Sequence, residues 1–532
     1  MLKSRFPVFL YLVFCAAIAV GVVGGCSTAH YKAQADKEVY GIINSKWDES
    51  IGRKANYTIS DVAPSPNDLS FDKDMLPAGP LTLAQAVAIA TANNRDYQQQ
   101  KENLYLSALD LSLVRHRFAR QWFGTVDAGY ARGSEDEAVN AGTRTGFDQL
   151  LTTGGSISAD IAIDWMQFLT GDPRTSLGSV LNASFTQPLL GNGRKAANET
   201  LTQAERSFLY QIRTVNRYRQ TFVVSVVTEY YQVLQEKNRV LNAQNNYQRV
   251  SDSKKRLEAE AGVGRRPKFE VDQAEQDVLS SNDSLVGTMQ SYQQKLDEFK
   301  INMALPTDAQ IELDPNELEA LSKIGISEPE YSERDAIETG LVRRLDLATA
   351  ADKIDDSARK VIVAEDNLGL GLTLSGGAGV KSTKDTDFSR LQFHNGTYGL
   401  GLGADLPFDR KSERTAYREK LINLQQSQRE YEDSIAQTKL QIRLAYRQVI
   451  ESAESYRIQQ KSLDLARKRV ESTSLFLKAG RAQTRDLLDS QNALLEAENQ
   501  LTDALVRHMV AKLNFFRDIG VLNVRPDGMW DK

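Results

Sequence analysis

The sequence predicts a mainly α-helical chain with some β-structure, built from a tandem duplication and arranged as a barrel-and-coil assembly. Short motifs recur in the same order in both halves. Each half also contains an uninterrupted helical segment of about sixty residues, preceded by short segments in which apolar and small or polar residues alternate. A repeated unit of strands followed by a helix too long for a globular core favours a structural assembly over an enzyme.

The duplication is visible in motifs that keep their spacing. Arg194-Lys195 recurs as Arg410-Lys411, and Gly264 and Gly480 are both followed by an acidic residue at the sixth position. These pairs are about 216 positions apart, which identifies two copies of one unit. The first copy carries an extra segment, at about residues 140–170, which could be either an additional hairpin or a surface loop.

Composition and charge exclude several classes of protein. The chain has 532 residues, of which 41% are hydrophobic, and a formal net charge of −5. It has no basic run, so nucleic acid is not an expected partner. Its four histidines are isolated in the sequence, and we find no nucleophile elbow, phosphate-binding loop or dinucleotide motif. We therefore predict no catalytic residue, no cofactor and no metal site.

The N-terminal segment has the pattern of an export signal. Residues 1–25 combine basic Lys3 and Arg5 with an apolar stretch and a Val-Gly-Gly end before Cys26. This pattern is typical of a bacterial lipoprotein signal, cut before Cys26, whose thiol then carries lipid. The alternative is an ordinary secretory signal with an incidental cysteine. Residues 26–80 are polar and rich in turn residues, and we expect an extended, lipid-anchored segment with a short helix at about residues 39–47.

Two structural repeats follow the N-terminal segment. The first spans residues 81–310, a linker spans 311–331, the second repeat spans 332–523, and 524–532 form a C-terminal tail. A short helix is predicted after Thr82, and a longer one from about residue 96 to 120.

About four strands per chain are predicted from alternation with a period of two. Two lie in each half, around Tyr130 and Phe185 and around Leu372 and Leu402, and the last strand of each half ends at a proline, Pro188 or Pro407. One apolar and one small or polar face is expected of strands between lipid and water, and also of one face of a soluble β-sandwich. Four strands cannot close a barrel, so we expect other subunits to pair their edges.

Each half then continues into a long helix and a return helix. The run 412–478 contains no proline or glycine. Its apolar residues recur at multiples of seven, as expected of a left-handed coiled coil: Ile435, Ile442, Val449, Tyr456, Leu463, Val470 and Leu477. The run 196–261 has a similar pattern. Gly264 and Gly480 end the long helices, and return helices are predicted at about 269–302 and 487–516.

Together these features resemble the TolC-like outer membrane efflux proteins, over about residues 81–523. Cys26 is more similar to the drug and metal efflux lipoprotein branch of that family. The resemblance implies a homotrimer: an outer-membrane β-barrel continued by a long periplasmic α-barrel that is closed at its far end. It also implies a periplasmic adaptor protein and an inner-membrane pump of the RND or ABC type as partners, with outer-membrane lipid around the strands.

The resemblance places a gate at the helix tips, where the family narrows its tunnel with aspartates. The matching residues are Asp486 and Asp489, with Glu270 and Asp272 at the related first-half tip. Alternatively, Asp486 and Thr484 simply cap their helix. The candidates for adaptor docking or for other roles at the tips are Gly264, Arg265, Arg266, Gly480 and Arg481. These arginines could also form salt bridges between the hairpins or be merely solvated.

The function expected is that of an outer-membrane export channel, a passive conduit from the periplasm to the exterior. Two alternatives remain open. One is a coiled-coil lipoprotein spacer without a lumen, and the other is the outer-membrane duct of a type I protein secretion system.

Overall fold

The computed structural model describes residues 27–48, 51–54, 56–59, 79–132, 137–168, 175–191, 193–383, 387–406, 408–525 and 529–531. The predicted signal 1–25, Cys26, residues 49–50, 55 and 60–78, and Pro407 lie outside these residues. None of the described helices combines the length and the apolar character of a membrane span.

Helices make up most of the described chain. In chain order they are α1 (Thr28–Lys46), α2 (Leu83–Asn93), α3 (Arg95–Phe118), α4 (Arg194–Gly262), α5 (Lys268–Asn302), α6 (Asn316–Ile324), α7 (Glu333–Arg343), α8 (Leu345–Asp366), α9 (Lys411–Lys478) and α10 (Thr484–Asp518). The strands of the main sheet are β1 (Gln121–Arg132), β2 (Glu137–Leu150), β3 (Ser156–Phe168), β4 (Thr175–Leu190), β5 (Gly371–Thr383), β6 (Asp387–Leu391) and β7 (Thr397–Asp405). A two-stranded sheet near the C-terminus joins β8 (Asn523–Val524) and β9 (Trp530–Asp531).

The long helices have the lengths that their sequences predict. Helix α4 has 69 residues and α9 has 68, while the return helices α5 and α10 have 35 residues each. The remaining helices also recur in order, since α2 and α7 both have 11 residues and are followed by α3 and α8. This is the arrangement that a duplicated unit would give.

The strands form one antiparallel sheet in the order β1, β2, β3, β4, β5 and β7, and the short β6 joins the far end of β5. The turn between β2 and β3 forms at Thr152-Thr153-Gly154-Gly155. There Gly154 has a φ of 80°, and the Leu151 amide donates to the Gly155 carbonyl over 2.7 Å. The extra first-half segment is therefore a hairpin and not a surface loop.

The expected number of about four strands is too low for the sheet. The strands predicted around Tyr130, Phe185, Leu372 and Leu402 are present as β1, β4, β5 and β7, and the additional strands are β2, β3 and β6. Strand β2 escaped prediction because glycine, threonine, alanine and charged residues dominate its sequence, so that its alternation is weak.

The register places the apolar side chains on one face of the sheet. In chain order these are Trp122, Val126, Tyr130, Val139, Phe147, Ile157, Ile161, Ile163, Trp165, Leu181, Phe185, Leu374, Leu400 and Leu402. The opposite face is dominated by glycines and polar residues, including Asp127, Arg144, Asp160, Asn182 and Ser375. The face separation predicted from alternation is thus present across the whole sheet.

Two further expectations need correction. Helix α1 begins at Thr28, where the Ser27 hydroxyl caps it, so the N-terminal segment is helical over a longer stretch than predicted. It packs on its own unit, where the Tyr105 hydroxyl donates to Asp36 over 2.7 Å. The expected linker 311–331 contains α6, and its Leu313 is fully buried. Apolar residues in both segments gain more by packing than an extended linker would allow.

The chain divides into two compact units that each take residues from both halves. The first unit contains the sheet and comprises Asn103–Gln211, Lys353–Gln428 and the described residues up to Trp47. At its centre Asp356 is buried and accepts hydrogen bonds from Tyr210 over 2.7 Å and Arg359 over 2.6 Å. Burial, and then the hydrogen bond to Asp356, raise the pKa of Tyr210 to about 12.

The second unit comprises the described residues of Asp48–Glu102, Ile212–Asp352 and Arg429–Lys532. Its largest core joins α2 to the middle of α4 and the end of α5, around the fully buried Tyr230 and Phe299. A second core packs Ile442 and Val449 of α9 against Phe515 of α10. Residues of the predicted seven-residue repeat therefore form the contact between α9 and its return helix.

Candidate functional site

The two helical hairpins of the second unit end in turns of the same geometry. We call residues 262–272 the first tip and 478–489 the second tip. Gly264 has a φ of 71° and Gly480 one of 69°. In the first tip the Arg265 amide donates to the Glu260 carbonyl over 2.9 Å, and in the second the Arg481 amide donates to the Phe476 carbonyl over 2.8 Å. Glycine at this position ends the helix, because other residues are strained at positive φ.

Arg266 connects the first tip to the second. Its guanidinium donates to the Leu477 carbonyl, near the end of α9, over 3.2 Å. It also forms ion pairs with Glu260 at 3.2 Å and Glu270 at 3.4 Å, and the side chain is only 17% exposed. A cation is favourable at a helix C-terminus, where the last carbonyls lack partners. The hydrogen bond to Leu477 joins the two hairpins, whereas both ion pairs of Arg266 lie within the first hairpin.

Glu270 adds a second connection between the tips. Its carboxylate accepts a hydrogen bond from the Thr484 hydroxyl over 2.5 Å, and Thr484 is buried. The Glu270 carboxylate contacts both Arg266 of its own tip and Thr484 in the first turn of α10. The second-half position that corresponds to Arg266 is Ala482, so this arginine contact is made by one tip only. We call these contacts the Arg266–Glu270 link.

The two aspartates predicted for a gate lie at the start of α10 and are exposed. The Asp486 carboxylate accepts the Gln483 amide over 2.9 Å, which caps the helix as the alternative interpretation proposed. Asp489 is 59% exposed, and its nearest cation is Arg485 at 3.8 Å. Thr484 does not cap by its side chain, since its hydroxyl donates to Glu270.

A third aspartate, Asp277 of α5, was missed by sequence reasoning. Burial raises the pKa of the Asp277 carboxyl, the negative charge of Asp489 raises it further, and Arg485 opposes the shift. Acidic residues of the two return helices therefore influence each other across the tips. The available signal was spacing, because Asp277 follows Glu270 by seven residues and thus lies on the same side of the helix.

The other candidates at the tips remain solvent-facing. Arg265, Arg481 and Asp272 are exposed. Within the described part of the chain, Asp272 forms no hydrogen bond or ion pair, in contrast to Glu270. Arg265 and Arg266, although adjacent in sequence, therefore have different surroundings.

A polar seam leads from the tips along α4 and α10. Asn242 donates to Asn499 over 2.9 Å, and Gln235 donates to Asp503 over 2.8 Å. Arg239 pairs with the same Asp503 at 2.5 Å. Hydrogen bonds between polar side chains hold these two helices together with little net free energy per contact, because each replaces a bond to water. The same two helices also contribute to the largest apolar core, which contains Val227 of α4 and Leu505 of α10.

Replacing Asp277 by asparagine is expected to stabilise the second unit near neutral pH. The raised pKa means that the folded state binds a proton on Asp277 more tightly than the unfolded state does. Ionisation of Asp277 therefore lowers the free energy of unfolding as the pH rises through the pKa of the folded state. The substitution removes this loss, which amounts to less than about 1 kcal/mol of the free energy of unfolding because solvent partly screens the site. Thermal unfolding of the purified protein at pH 7 would show a higher Tm, and the difference would vanish below about pH 4. Asp283→Asn, at an exposed position of the same helix, is the control, and an equal effect there would contradict this explanation.

Comparison with known proteins agrees with this geometry. Residues 336–511, which include the second tip, match the model of the outer membrane efflux protein family. A comparison with curated proteins gives no match. The fold is similar to VceC, an outer membrane protein of Vibrio cholerae, at 14% identity with a TM-score of 0.60, over 82% of this chain and 96% of that one.

Two further solved structures show the same likeness. The CmeC outer membrane channel of Campylobacter jejuni is 14% identical with a TM-score of 0.60, over 88% of this chain and 94% of that chain. The open state of the MtrE outer membrane channel of Neisseria gonorrhoeae is 13% identical with a TM-score of 0.60, over 82% and 88%. At these identities the likeness establishes the fold. The predicted resemblance is confirmed: residues 336–511 match the outer membrane efflux protein family, and the chain has the fold of outer-membrane channels.

Proposed function

We propose that this chain is the outer-membrane channel of a tripartite efflux or secretion system, a passive trimeric conduit whose periplasmic end is gated. The observation that carries the proposal is the sheet, with one apolar face and one predominantly polar face along strands of 9–16 residues. Strands of about 9–11 residues are sufficient to cross a bilayer, and such strands alternate between lipid-facing and water-facing residues. A spacer lipoprotein without a lumen has no need of such a sheet.

The free edges of the sheet support closure by other copies of the chain. Neighbouring long strands are antiparallel throughout the order β1, β2, β3, β4, β5 and β7. With six strands, β1 and β7 run in opposite directions, so β7 of one chain would pair antiparallel with β1 of the next. An unpaired edge exposes backbone hydrogen-bonding groups that cannot be left unsatisfied in lipid.

The helices of the second unit carry matching support for assembly. Contacts join α5 to α4 and to α10, α4 to α10, and α10 to α9. Helix α9 exposes an apolar stripe at Leu444, Ile458 and Leu465, and α5 exposes one at Leu279, Val286 and Met289. Two different adhesive faces on one chain produce head-to-tail association, which gives a ring when the rotation between neighbouring chains closes. The number three comes from the resemblance to the family.

The Arg266–Glu270 link gives the proposed gate a closed state that can be opened. Separating the tips breaks the hydrogen bonds from Arg266 to Leu477 and from Thr484 to Glu270, so a partner that binds the open form more tightly can supply the required free energy. We propose a periplasmic adaptor for this role, docking on the exposed tip residues Arg265 and Arg481 beside Gly264 and Gly480. An inner-membrane pump would supply the transport energy.

Rings of carboxylates at the tips would favour cations. In a trimer, Asp486, Asp489 and Asp277 would each occur three times around one axis, and their summed negative potential attracts cations and repels anions. Glu270 is held in the link to the other tip and would act on the closed state instead. Asp272 is exposed in the first tip and would add to the same potential.

The proposed location is the outer membrane, with lipid on Cys26 and the helices extending into the periplasm. The N-terminal segment supports an anchor, because α1 begins two residues after Cys26 and is docked on the first unit through Tyr105 and Glu205. A lipid at Cys26 would then be held at a fixed place on the chain. Mass spectrometry of the mature N-terminal peptide tests the modification.

The experiment that tests the proposed function is deletion of the gene followed by measurement of drug and metal sensitivity. Loss of an efflux channel is expected to sensitise cells to several small molecules at once. Complementation with the full chain should restore resistance. If sensitivity is unchanged while a secreted protein disappears from the medium, the conduit serves protein secretion. If neither changes, the proposed role in export is wrong.

Removing two tip carboxylates is expected to change ion permeation. We expect the double change Asp486→Ala and Asp489→Ala to raise single-channel conductance in planar bilayers by roughly twofold and to reduce the cation preference. The physical reason is that the six carboxylates around the narrowest point of the trimer attract cations and repel anions. Their removal ends the retention of cations there and lets anions pass. Glu471→Ala, which removes an exposed carboxylate of α9 before the tip, is the control. Unchanged conductance and ion preference in the double variant would exclude these residues from the gate.

A further inference from the structure

The hairpin of β2 and β3 is built into the sheet as continuous structure. Strand β1 pairs with β2 from Gln121 opposite Asp148 to Arg132 opposite Glu137. Strand β3 pairs with β2 from Phe168 to Ser156 and with β4 from Ser156 to Gln167. No register shift interrupts these three ladders, whereas β4 and β5 shift register between Pro188 and Leu190. Both inserted strands are therefore paired along their length on both sides.

A polar network ties the hairpin to its neighbours on the less apolar face. Arg144 of β2 forms two hydrogen bonds to Asp160 of β3, at 3.0 and 2.9 Å. Asn182 of β4 donates to the same carboxylate over 3.2 Å, and the Arg144 guanidinium lies 5.7 Å from the Phe123 ring of β1. Asp160 is only 7% exposed. One side chain from each of four strands thus holds this register, and slipping by one residue would leave a buried charge unpaired.

The apolar face continues across the hairpin without a gap. Phe147 of β2 lies opposite Trp122 of β1, and Ile161 of β3 lies opposite Leu181 of β4. An inserted hairpin that folded into a lumen or stood above the membrane would have no reason to continue this face. A large apolar surface that is open on a single chain marks a contact with another protein or with lipid.

We infer that β2 and β3 are part of the membrane wall, so that each chain contributes six long strands to it. This inference rests on the proposed function. Three chains then give a ring of about eighteen strands, a size at which a barrel leaves an aqueous channel through its centre. Insertion of two strands preserves the opposite directions of β1 and β7, which one inserted strand would not. The pairing between chains is therefore unaffected by the insertion.

The diameter of an eighteen-stranded ring bears on where along the channel solutes are selected by their size. Barrel diameter grows roughly linearly with strand number, so six strands per chain give a mouth about one and a half times as wide as four would. The outer mouth would then admit bulky solutes, and size selection is left to the helix tips. The width of the opened tips, and not the width of the barrel, would then limit the size of the solutes that pass.

Variants of the assembled protein that each carry one added cysteine test this inference. Ile161→Cys and Ala162→Cys place neighbouring thiols on opposite faces of β3, and Leu374→Cys and Ser375→Cys do the same on β5 as a matched control. The chain has two cysteines of its own, so the unsubstituted protein gives the background. In liposomes, a charged, membrane-impermeant thiol reagent should label Ala162→Cys at least about tenfold faster than Ile161→Cys. A small fluorophore at Ile161→Cys should be quenched by brominated lipids. Ile163→Cys replaces Ile161→Cys if that variant does not assemble.

The control pair separates the two possible failures. If Leu374→Cys and Ser375→Cys alternate between lipid and water but Ile161→Cys is water-accessible, the hairpin lies outside the wall and the inference is overturned while the proposed function stands. If the β5 pair also fails to alternate, the sheet does not face lipid, and the proposed function falls together with the inference. Alternation at both pairs supports six strands per chain.

Discussion

Replacing Ile458 and Leu465 of α9 by glutamate is expected to abolish assembly and leave folded monomers. The two side chains are 55% and 65% exposed in one chain and lie seven residues apart on the side of α9 that faces away from the buried Val449 and Leu463. If they are covered by the next chain, each substitution removes about 1.5–3 kcal/mol of apolar burial and adds an unpaired charge at every interface. Native mass spectrometry in detergent would show a trimer for the unchanged protein and a monomer for the variant.

The matched control introduces glutamate at two exposed polar positions on another side of the helix. Gln460→Glu with Arg467→Glu are also exposed and seven residues apart, two positions further along α9. We expect this variant to remain trimeric. Circular dichroism should show the same helical content in both variants, because neither pair lies in the intrachain core. A trimer of unchanged stability from Ile458→Glu with Leu465→Glu would show that this stripe is not the interface.

Replacing Arg266 by alanine is expected to open the tips. The change removes the donor to the Leu477 carbonyl and leaves Glu270 without its cation. Losing hydrogen bonds to a charged group in a partly buried site costs about 1–3 kcal/mol, and a shift of that size changes an equilibrium by about 5- to 150-fold. In planar bilayers the open-state occupancy should rise by at least about fivefold. Cells carrying the variant should become sensitive to antibiotics that are normally too large to enter.

Arg265→Ala is the control for this prediction. It removes the same side chain and the same charge one position earlier, but Arg265 is exposed and does not contact the second tip. We expect its conductance to match that of the unchanged protein. If Arg265→Ala and Arg266→Ala have equal effects, charge at the tips matters and the link between them does not. If neither changes conductance, the tips are held closed by other contacts.

The helical part of the fold was predictable because its signals are local. The absence of proline and glycine from 412–478, the seven-residue spacing from Ile435 to Leu477, and Gly264 and Gly480 at the turns all act within a few residues of where they occur. Their structural outcomes are α9, its packing on α10, and the two tips. Each signal needs only backbone geometry and one apolar seam.

The remaining features depend on contacts between distant residues. Strand β2 has few strongly apolar side chains, and its conformation is determined by the strands on either side of it. Arg266 and Leu477 are 211 positions apart, so the contact between the tips cannot be inferred from the residues near Arg266, although Glu270 four positions later offers it a local ion pair. Asp277 interacts with Asp489 of the other repeat. Tertiary contacts of this kind override local conformational preference and cannot be inferred from the spacing of residues in the sequence.

Single-particle electron microscopy of the purified protein in lipid nanodiscs tests most directly whether identical chains enclose a water-filled channel. We expect three copies around one axis, with a continuous axial cavity through the strands and the helices, narrowed at Asp486 and Asp489. A monomer, or an assembly in which the helices fill the axis with packed side chains, would contradict the proposed channel.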